Sequence, residues 1–329
     1  MPKNTDKLRT FARYLRSDAG VTVRLLPALC LFVACVSQAQ PSLEAQIEAQ
    51  RQYWKELAEA DSRFALAATT EGRTQAFLNT LAKDSVVFRE GPVNARELYE
   101  TSEYQYRLDQ LTWKSHFIDV SRAGDLGLTV GPSRYTPNDE VSGARSSYGF
   151  LVSVWIREAG TWRLAADIVA RIPGYIDLNV EPDFAETEKV LQETAHPVMV
   201  TDNDLQSLID ADNLFGQSIN FRGGQRARLR YGLENQRLYL SGTAPAIGAE
   251  AAGLAYGRYL DNLVDTASPI NGLYIGGYVS ESREAGYTYG VMSSMGDGEG
   301  SGFRANYLRF WRFSDSNEWR IALELVSPF

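Results

Sequence analysis

Histidine, cysteine and positive charge are all in short supply in this chain of 329 residues. The 2 histidines and 2 cysteines disfavour a zinc site built from several imidazole or thiolate ligands. Lysine and arginine number 33 against 41 acidic residues, a formal charge of -8, whereas nucleic-acid binding depends on clustered basic residues. We therefore expect neither a metal site nor a nucleic-acid partner, and no sequence motif indicates a cofactor.

The chain also has little that could anchor it in a membrane. An apolar run, Leu25–Val36, follows six basic residues and precedes the small-residue stretch Ser37–Ala39. Twelve residues are too few for a hydrocarbon core that needs about 20. This pattern is typical of a secretory signal peptide, which we place at residues 1–39. We expect a periplasmic or secreted protein without cysteine; the alternative is a lipoprotein anchored through Cys35.

The remainder of the chain contains two related copies of one domain. Matching segments recur at offsets of 151, then 159, then 157 residues, as loop insertions would produce. The matches are Ala60–Phe64 with Ala211–Phe215, Gly127–Gly131 with Gly286–Gly290, and Trp162–Ala165 with Trp319–Ala322. We therefore predict domains at residues 42–175 and 200–329, joined by a linker at 176–199.

Each copy is predicted to begin with helices and end with strands. In the first copy Trp54, Leu57 and Phe64 recur at helical spacing, and Gly72 interrupts the pattern. β-Branched and aromatic segments follow, separated by short turns. These strands are predicted at Leu111–Val120, Leu126–Tyr135, Tyr148–Arg157 and Trp162–Ile172. Helices followed by consecutive strands indicate an α+β domain.

Several stretches of the first copy resemble the nuclear-transport-factor-2-like (NTF2-like) superfamily, near its SnoaL-like branch and uncharacterised bacterial families. They are Asp61–Gly72, Phe88–Ala95, Ser121–Pro132, Val154–Trp155 and Trp162–Asp167. The resemblance implies a cone-shaped domain, in which a curved antiparallel sheet wraps on about three helices and encloses a cavity. It also implies dimerisation, which two tandem copies could satisfy within one chain as a pseudo-dimer; a homo-oligomer is the alternative.

The second copy diverges from the first. It keeps Asp212, Phe215 and Trp319 but has Gly272 where the first copy has Trp113, and Glu284 in place of Asp125. Whether both copies keep the same pocket is therefore open.

Two carboxylates in each copy are candidate catalytic residues. Asp61 lies in the apolar stripe of the first helix, and Asp167 lies in the otherwise apolar last strand. Facing a cavity, such groups have a raised pKa and can act as acid or base. The second-copy equivalents are Asp212 and Glu324. The alternative is that arginines, for instance Arg63 or Arg163, pair with these acids in a structural role.

Aromatic side chains of the first copy could line a ligand cavity, although large aromatics in strands more often fill the core. These candidates are Phe88, Trp113, Tyr148, Phe150 and Trp155, with Trp311 as a second-copy equivalent. His116 is expected to be a surface or hydrogen-bonded residue rather than a base. His196, next to Pro197, has no evident partner.

Fold leaves function open, so three interpretations remain. The first is binding of a small apolar or amphipathic ligand in the first cavity. The second is a cofactor-independent isomerase or lyase that uses Asp61 and Asp167. The third is a protein-interaction module with filled cavities.

Overall fold

The computed structural model describes the chain from residue 42 onward, with short gaps. The described residues are 42–101, 103, 109–138, 145–194, 204–263, 268–295 and 302–329. The predicted signal peptide, Cys35 and His196 lie outside them. Within these ranges no helix has the length and apolar character that a membrane span requires.

The first copy combines helices with a seven-stranded sheet. Its helices are α1 (Leu43–Thr70), α2 (Arg73–Thr80) and α3 (Ala95–Tyr99). Its strands are β1 (Leu81–Arg89), β2 (Gly91–Asn94), β3 (Gln110–Trp113), β4 (Phe117–Val120), β5 (Leu126–Thr136), β6 (Ser147–Glu158) and β7 (Thr161–Ile172). The order across the sheet is β2-β1-β7-β6-β5-β3, and β4 also pairs with β5. Gly72 separates α1 from α2 with a φ of 90°, which suits glycine.

The second copy repeats this arrangement after the linker helix α4 (Phe184–Gln192). Its helices are α5 (Leu205–Arg222), α6 (Gly224–Tyr231) and α7 (Ala249–Leu263). Its strands are β8 (Gly232–Leu240), β9 (Ala246–Ile247), β10 (Asn271–Val279), β11 (Ala285–Ser294), β12 (Phe303–Phe313) and β13 (Trp319–Pro328). The order β9-β8-β13-β12-β11-β10 matches that of the first sheet, except that the single strand β10 takes the place of both β3 and β4. The predicted tandem α+β fold is confirmed.

The sheets are mixed, whereas the resemblance implied antiparallel ones. β1 pairs in parallel with β7, and β8 pairs in parallel with β13. Parallel neighbours need a long crossover connection, and here the intervening strands of each copy supply it.

The predicted strand Leu111–Val120 is broken in the structure. It forms β3 and β4, which both pair with β5 on either side of the segment Lys114–His116. The corresponding strand of the second copy, β10, is continuous apart from a register shift between Tyr274 and Gly276. The break matters because it places Ser115 against the first helix, as described below.

The two copies pack through the faces of their sheets that point away from their own helices. Phe150 and Val152 of β6 share one buried cluster with Leu308 and Phe310 of β12. Inside each copy a separate cluster fills the space between helices and sheet.

Polar contacts across this interface follow an approximate two-fold relation. The Asp125 carboxylate accepts a hydrogen bond from the backbone N–H of Glu281 at 2.8 Å. The Glu284 carboxylate accepts one from the backbone N–H of Arg122 at 2.7 Å. Glu284 replaces Asp125 in the repeat, so each copy caps a turn of the other, as in an isologous dimer. Arg312 adds a fully buried pair with Asp119 of the first copy.

Candidate functional site

A cavity of about 740 Å³ opens in the first copy. Its apolar lining includes Phe77, Val87, Tyr99, Leu111, Tyr135 and Ile168. Residues of the second copy, among them Asn306 and Phe329, complete one wall. The size lies in the range typical of small-molecule pockets, and the wall combines an apolar surface with a few polar groups.

Asp167 is the buried carboxyl group of this cavity. It is 8% exposed, and the Ser153 hydroxyl donates a hydrogen bond to its Oδ1 at 2.7 Å. The pKa of Asp167 is raised to about 7, chiefly by desolvation and also by the negative charge of Asp61, while the Ser153 hydrogen bond and the positive charges of Arg89 and Arg73 act in the opposite direction. In the described part of the chain no lysine or arginine forms an ion pair with Asp167. The group can therefore carry or release a proton near neutral pH.

Asp61 is buried and is held by neutral donors. Its Oδ1 accepts hydrogen bonds from Trp113 Nε1 at 3.2 Å and from Thr129 Oγ1 at 3.1 Å. Its Oδ2 accepts one from Ser115 Oγ at 2.7 Å. Desolvation raises its pKa, and these three hydrogen bonds act in the opposite direction. A carboxylate with three donors is well satisfied, which suits a structural or electrostatic role as much as proton transfer.

The two candidate acids of the first copy line different cavities. Asp61 lines a second pocket of about 720 Å³, together with Trp54, Trp113 and Lys114. Asp167 lines the first cavity. Of the two acids, only Asp167 therefore faces the first cavity, and the pair does not enclose one substrate position.

The proposed arginine partners of these acids make other contacts. Arg63 lies 3.7 Å from Glu59 on the same helix. Arg163 donates a hydrogen bond to the backbone oxygen of Asn79 at 2.6 Å. Neither arginine explains the acids of the first copy.

In the second copy the equivalent acids are ion-paired. Arg309 donates to Asp212 Oδ1 at 2.8 Å and to Glu324 Oε1 at 2.7 Å, so one guanidinium bridges both carboxylates. Arg228 adds a second ion pair to Glu324. All four side chains are buried. The second copy thus shows the structural role that was the alternative for these acids.

The shared frame around the first acid is the same in both copies. The Thr129 hydroxyl donates a hydrogen bond to Asp61 and accepts one from Trp155 Nε1 at 3.1 Å. The Thr288 hydroxyl donates a hydrogen bond to Asp212 and accepts one from Trp311 Nε1 at 2.8 Å. Trp311 is therefore the positional equivalent of Trp155, and both are fully buried.

The predicted ligand-binding aromatics are divided among three environments. Phe88 and Tyr148 line the large cavity, and Trp113 lines the second pocket. Phe150 lies on the face toward the second copy, 5.3 Å between ring centroids from Tyr239. Trp155 is 0% exposed and packs on Phe64. Tyr148 and Phe150 are two residues apart on β6 and therefore share one face of the sheet, so the cavity reaches that face at Tyr148 but not at Phe150.

His116 lies at the interface between the copies and bonds to Tyr239. Its Nε2 is 3.0 Å from the Tyr239 hydroxyl oxygen. Burial, assisted by the charge of Arg237, lowers the pKa of His116 to about 4. The expectation of a hydrogen-bonded residue rather than a base agrees with this position.

Sequence reasoning did not identify four important polar residues. Three are hydroxyl donors in or beside strands, Ser115, Thr129 and Ser153, and the fourth is Arg309. Arg309 shares the inward face of β12 with Tyr307 and Trp311, so strand alternation together with the repeat could have placed it beside Asp212. Within the described residues, no cluster of three or more histidine, cysteine, aspartate or glutamate side chains could hold a metal ion.

Comparisons by sequence give no match: no protein-family model and no curated protein matches this chain. Solved structures do match. The chain is similar to NTF2-like proteins. A ketosteroid isomerase-like protein from Erwinia carotovora atroseptica is 15% identical, covers 40% of this chain and 98% of its own length, and has a TM-score of 0.32.

Two further matches are proteins of unknown function. An NTF2-like protein from Shewanella oneidensis is 15% identical over 37% of this chain and 97% of its own, with a TM-score of 0.30. A domain with a cystatin-like fold from Nostoc punctiforme is 14% identical over 40% of this chain and 80% of its own, with a TM-score of 0.32. These matches assign no activity to this chain.

Proposed function

We propose that the first copy binds a small apolar or amphipathic molecule in its 740 Å³ cavity. The observation that carries this proposal is the contrast at one position of the fold. Asp167 borders an open cavity without an ion pair among the described residues, whereas its equivalent Glu324 is held by Arg228 and Arg309. Buried acids are usually paired, so an unpaired one at a cavity suggests a functional role.

Recovery of a bound molecule tests the binding proposal. Protein purified under native conditions is extracted and analysed by mass spectrometry, and a panel of lipids and steroids is screened for thermal shifts. Val169→Trp, which fills part of the cavity, should abolish the shifts, whereas Leu254→Trp at an exposed helix position should not. Absence of any extracted molecule together with no shift across the panel would contradict the proposal.

A second candidate function is proton transfer by Asp167 on the bound molecule, as an isomerase or lyase without a cofactor. The position of its pKa at about 7 favours this role, because both protonation states are populated at neutral pH. The carboxylate would accept a proton from a carbon of the ligand and, in an isomerase, return it to a neighbouring carbon.

Solvent exchange at the extracted ligand tests this chemistry. In deuterated water, wild-type protein should exchange a carbon-bound hydrogen of the ligand, followed by nuclear magnetic resonance, and Asp167→Asn should not. Glu59→Gln is the matched control, because Glu59 is an exposed carboxylate that lines the other pocket, and its replacement should leave exchange in place. A wild-type protein that binds the ligand without exchange or conversion is a binding protein only.

We also propose that the protein is exported. We further propose that its two copies form a pseudo-dimer within one chain, in place of a homodimer of two single-domain chains. Export is supported by the pattern of residues 1–39, and the predicted test is amino-terminal sequencing of the mature protein, with Cys35→Ser to detect lipid attachment. The pseudo-dimer is supported by the reciprocal contacts of Asp125 and Glu284. Light scattering should then give the mass of one chain; twice that mass would indicate a homo-oligomer.

A further inference from the structure

Three arginine side chains border the large cavity. Arg73, Arg89 and Arg171 all border it, whereas Glu90 and Asp167 are its acidic residues. Arg73 is buried and lies 3.0 Å from Asp109, so its charge is compensated there. Arg89 and Arg171 are exposed and therefore mark the solvent end of the cavity, where Arg89 Nη1 also donates a hydrogen bond to the backbone oxygen of Phe88 at 2.7 Å. This concentration of arginine occurs in a chain with a formal charge of -8.

The second copy shows that the fold does not require these arginines. The equivalent positions, read from the matching helices and strands, are Gly224, Leu240 and Pro328. The same secondary structure therefore forms with no cation at any of the three places. The arginines of the first copy are specific to the copy that has the cavity.

We propose that the ligand of the first copy has an apolar body and an anionic end group, and that Arg89 and Arg171 bind that group at the cavity mouth. This inference rests on the proposed function. Phe88 and Val169, which line the cavity close in sequence to the two arginines, supply apolar contact for the body. A guanidinium group presents its N–H donors in a planar fork that matches a carboxylate.

Probes with one chain length and different head groups test the charge preference. N-phenyl-1-naphthylamine, a neutral dye whose fluorescence increases in apolar sites, is bound to the purified protein. Decanoate, decan-1-ol and decylamine then compete with it. Decanoate should displace the dye at a concentration about tenfold lower than decan-1-ol, because charge-assisted hydrogen bonds exceed neutral ones in strength. Decylamine should be the weakest competitor.

Variants assign the preference to the two arginines. In Arg89→Gln/Arg171→Gln, decanoate and decan-1-ol should compete equally, while the dye still binds. Arg226→Gln/Arg258→Gln removes the same charge from exposed positions on α6 and α7 and should leave the preference unchanged. Arg171→Gln alone, at an exposed site, should weaken decanoate severalfold and serves if the double variant does not fold.

The outcomes separate this inference from the proposed function. Equal competition by decanoate and decan-1-ol in the wild type, or an unchanged preference in folded arginine variants, would overturn the anionic-ligand inference and leave ligand binding intact. Failure of the dye and of all three competitors to bind would overturn the binding function itself.

Discussion

The two copies of this protein share one arrangement of hydrogen bonds between the first helix and the sheet. They differ in the partners of their buried carboxylates. In both, an aspartate on the first helix accepts a hydrogen bond from a threonine on the sheet, and a tryptophan donates to the same threonine. In the first copy Asp61 has only neutral donors, whereas in the second Asp212 is paired with Arg309. The carboxylate is thus common to the fold, and its partners are neutral donors in one copy and a guanidinium in the other.

A single strand position accounts for much of this difference. Ser153 lies between Thr129 and Asp167 on adjacent strands, and Arg309 lies between Thr288 and Glu324 in the same way. The serine hydroxyl reaches only Asp167, but the longer guanidinium reaches both acids of its copy. The first copy therefore keeps an acid without an ion pair at a cavity, whereas both acids of the second copy are ion-paired.

Removal of the bridging guanidinium should produce the largest effect. Arg309→Ser gives the second copy the residue that the first copy has at this position, Ser153. Asp212 then loses its ion pair while it stays buried. We expect the free energy of unfolding to fall by about 3–5 kcal/mol, the usual cost of breaking a buried pair from one side. Denaturant titration measures it. A loss below about 1 kcal/mol would mean that the ion pairs do not hold the second copy together.

The reverse exchange is the matched control. Ser153→Arg places a guanidinium between Asp61 and Asp167, where it should pair with the acids and occupy space beside the cavity. Ligand binding should be lost. A folded Ser153→Arg protein that binds as well as wild type would show that this position does not decide between pocket and packed interior.

Replacement of Asp167 or its equivalent Glu324 by the corresponding amide should change the free energy of unfolding in opposite directions at pH 8. Folding raises the pKa of Asp167, so the native state binds this proton more tightly than the unfolded chain. The free energy of unfolding therefore falls as the pH rises from about 4 to about 7, and Asp167→Asn should remove this loss. At pH 8 the variant should be more stable than wild type by on the order of 3 kcal/mol, with no difference below pH 4.

Glu324→Gln is the comparison for that measurement. It breaks two buried ion pairs and should destabilise the protein at pH 8. Thermal or denaturant unfolding between pH 4 and pH 8 measures both variants. If Asp167→Asn were less stable than wild type at pH 8, the native state would stabilise the charged Asp167 carboxylate. That result would contradict the proposal that desolvation disfavours the charged form.

Loss of one neutral donor should have the smallest effect. Ser115→Ala removes one of the three hydrogen bonds to Asp61, while Trp113 and Thr129 still donate. We expect a loss of about 1 kcal/mol in the free energy of unfolding and a further rise in the Asp61 pKa. Ser62→Ala, at an exposed position on the same helix as Asp61, should leave the free energy of unfolding and the Asp61 pKa unchanged. A loss as large as that in Arg309→Ser would remove the distinction between neutral and ionic support.

Much of the fold could be predicted from local pattern and repetition. Helical spacing placed Leu57 and Phe64 on the buried face of α1, and both are buried. The repeat paired Asp61 with Asp212 and Asp167 with Glu324, and the matching strand orders agree. These predictions succeed because spacing along one element determines which side chains share a face.

The site was less accessible to prediction because its contacts join distant parts of the chain. The strand predicted at Leu111–Val120 contains no local signal for the break that brings Ser115 to Asp61. Alternation placed Phe150 in a strand but could not show which face of that strand bordered the cavity. The charge on Arg309 was visible, yet its partners come from α5 and β13.

The sequence alone thus determined a duplicated α+β chain with two acids at matching positions in each copy. Only the tertiary structure decided that Asp212 and Glu324 share one guanidinium, that Asp61 and Asp167 line separate cavities, and that arginines gather at the mouth of one of them. The reason is physical. Secondary structure follows from neighbours along the chain, whereas desolvation and ion pairing depend on groups that meet only after the helices and strands have packed.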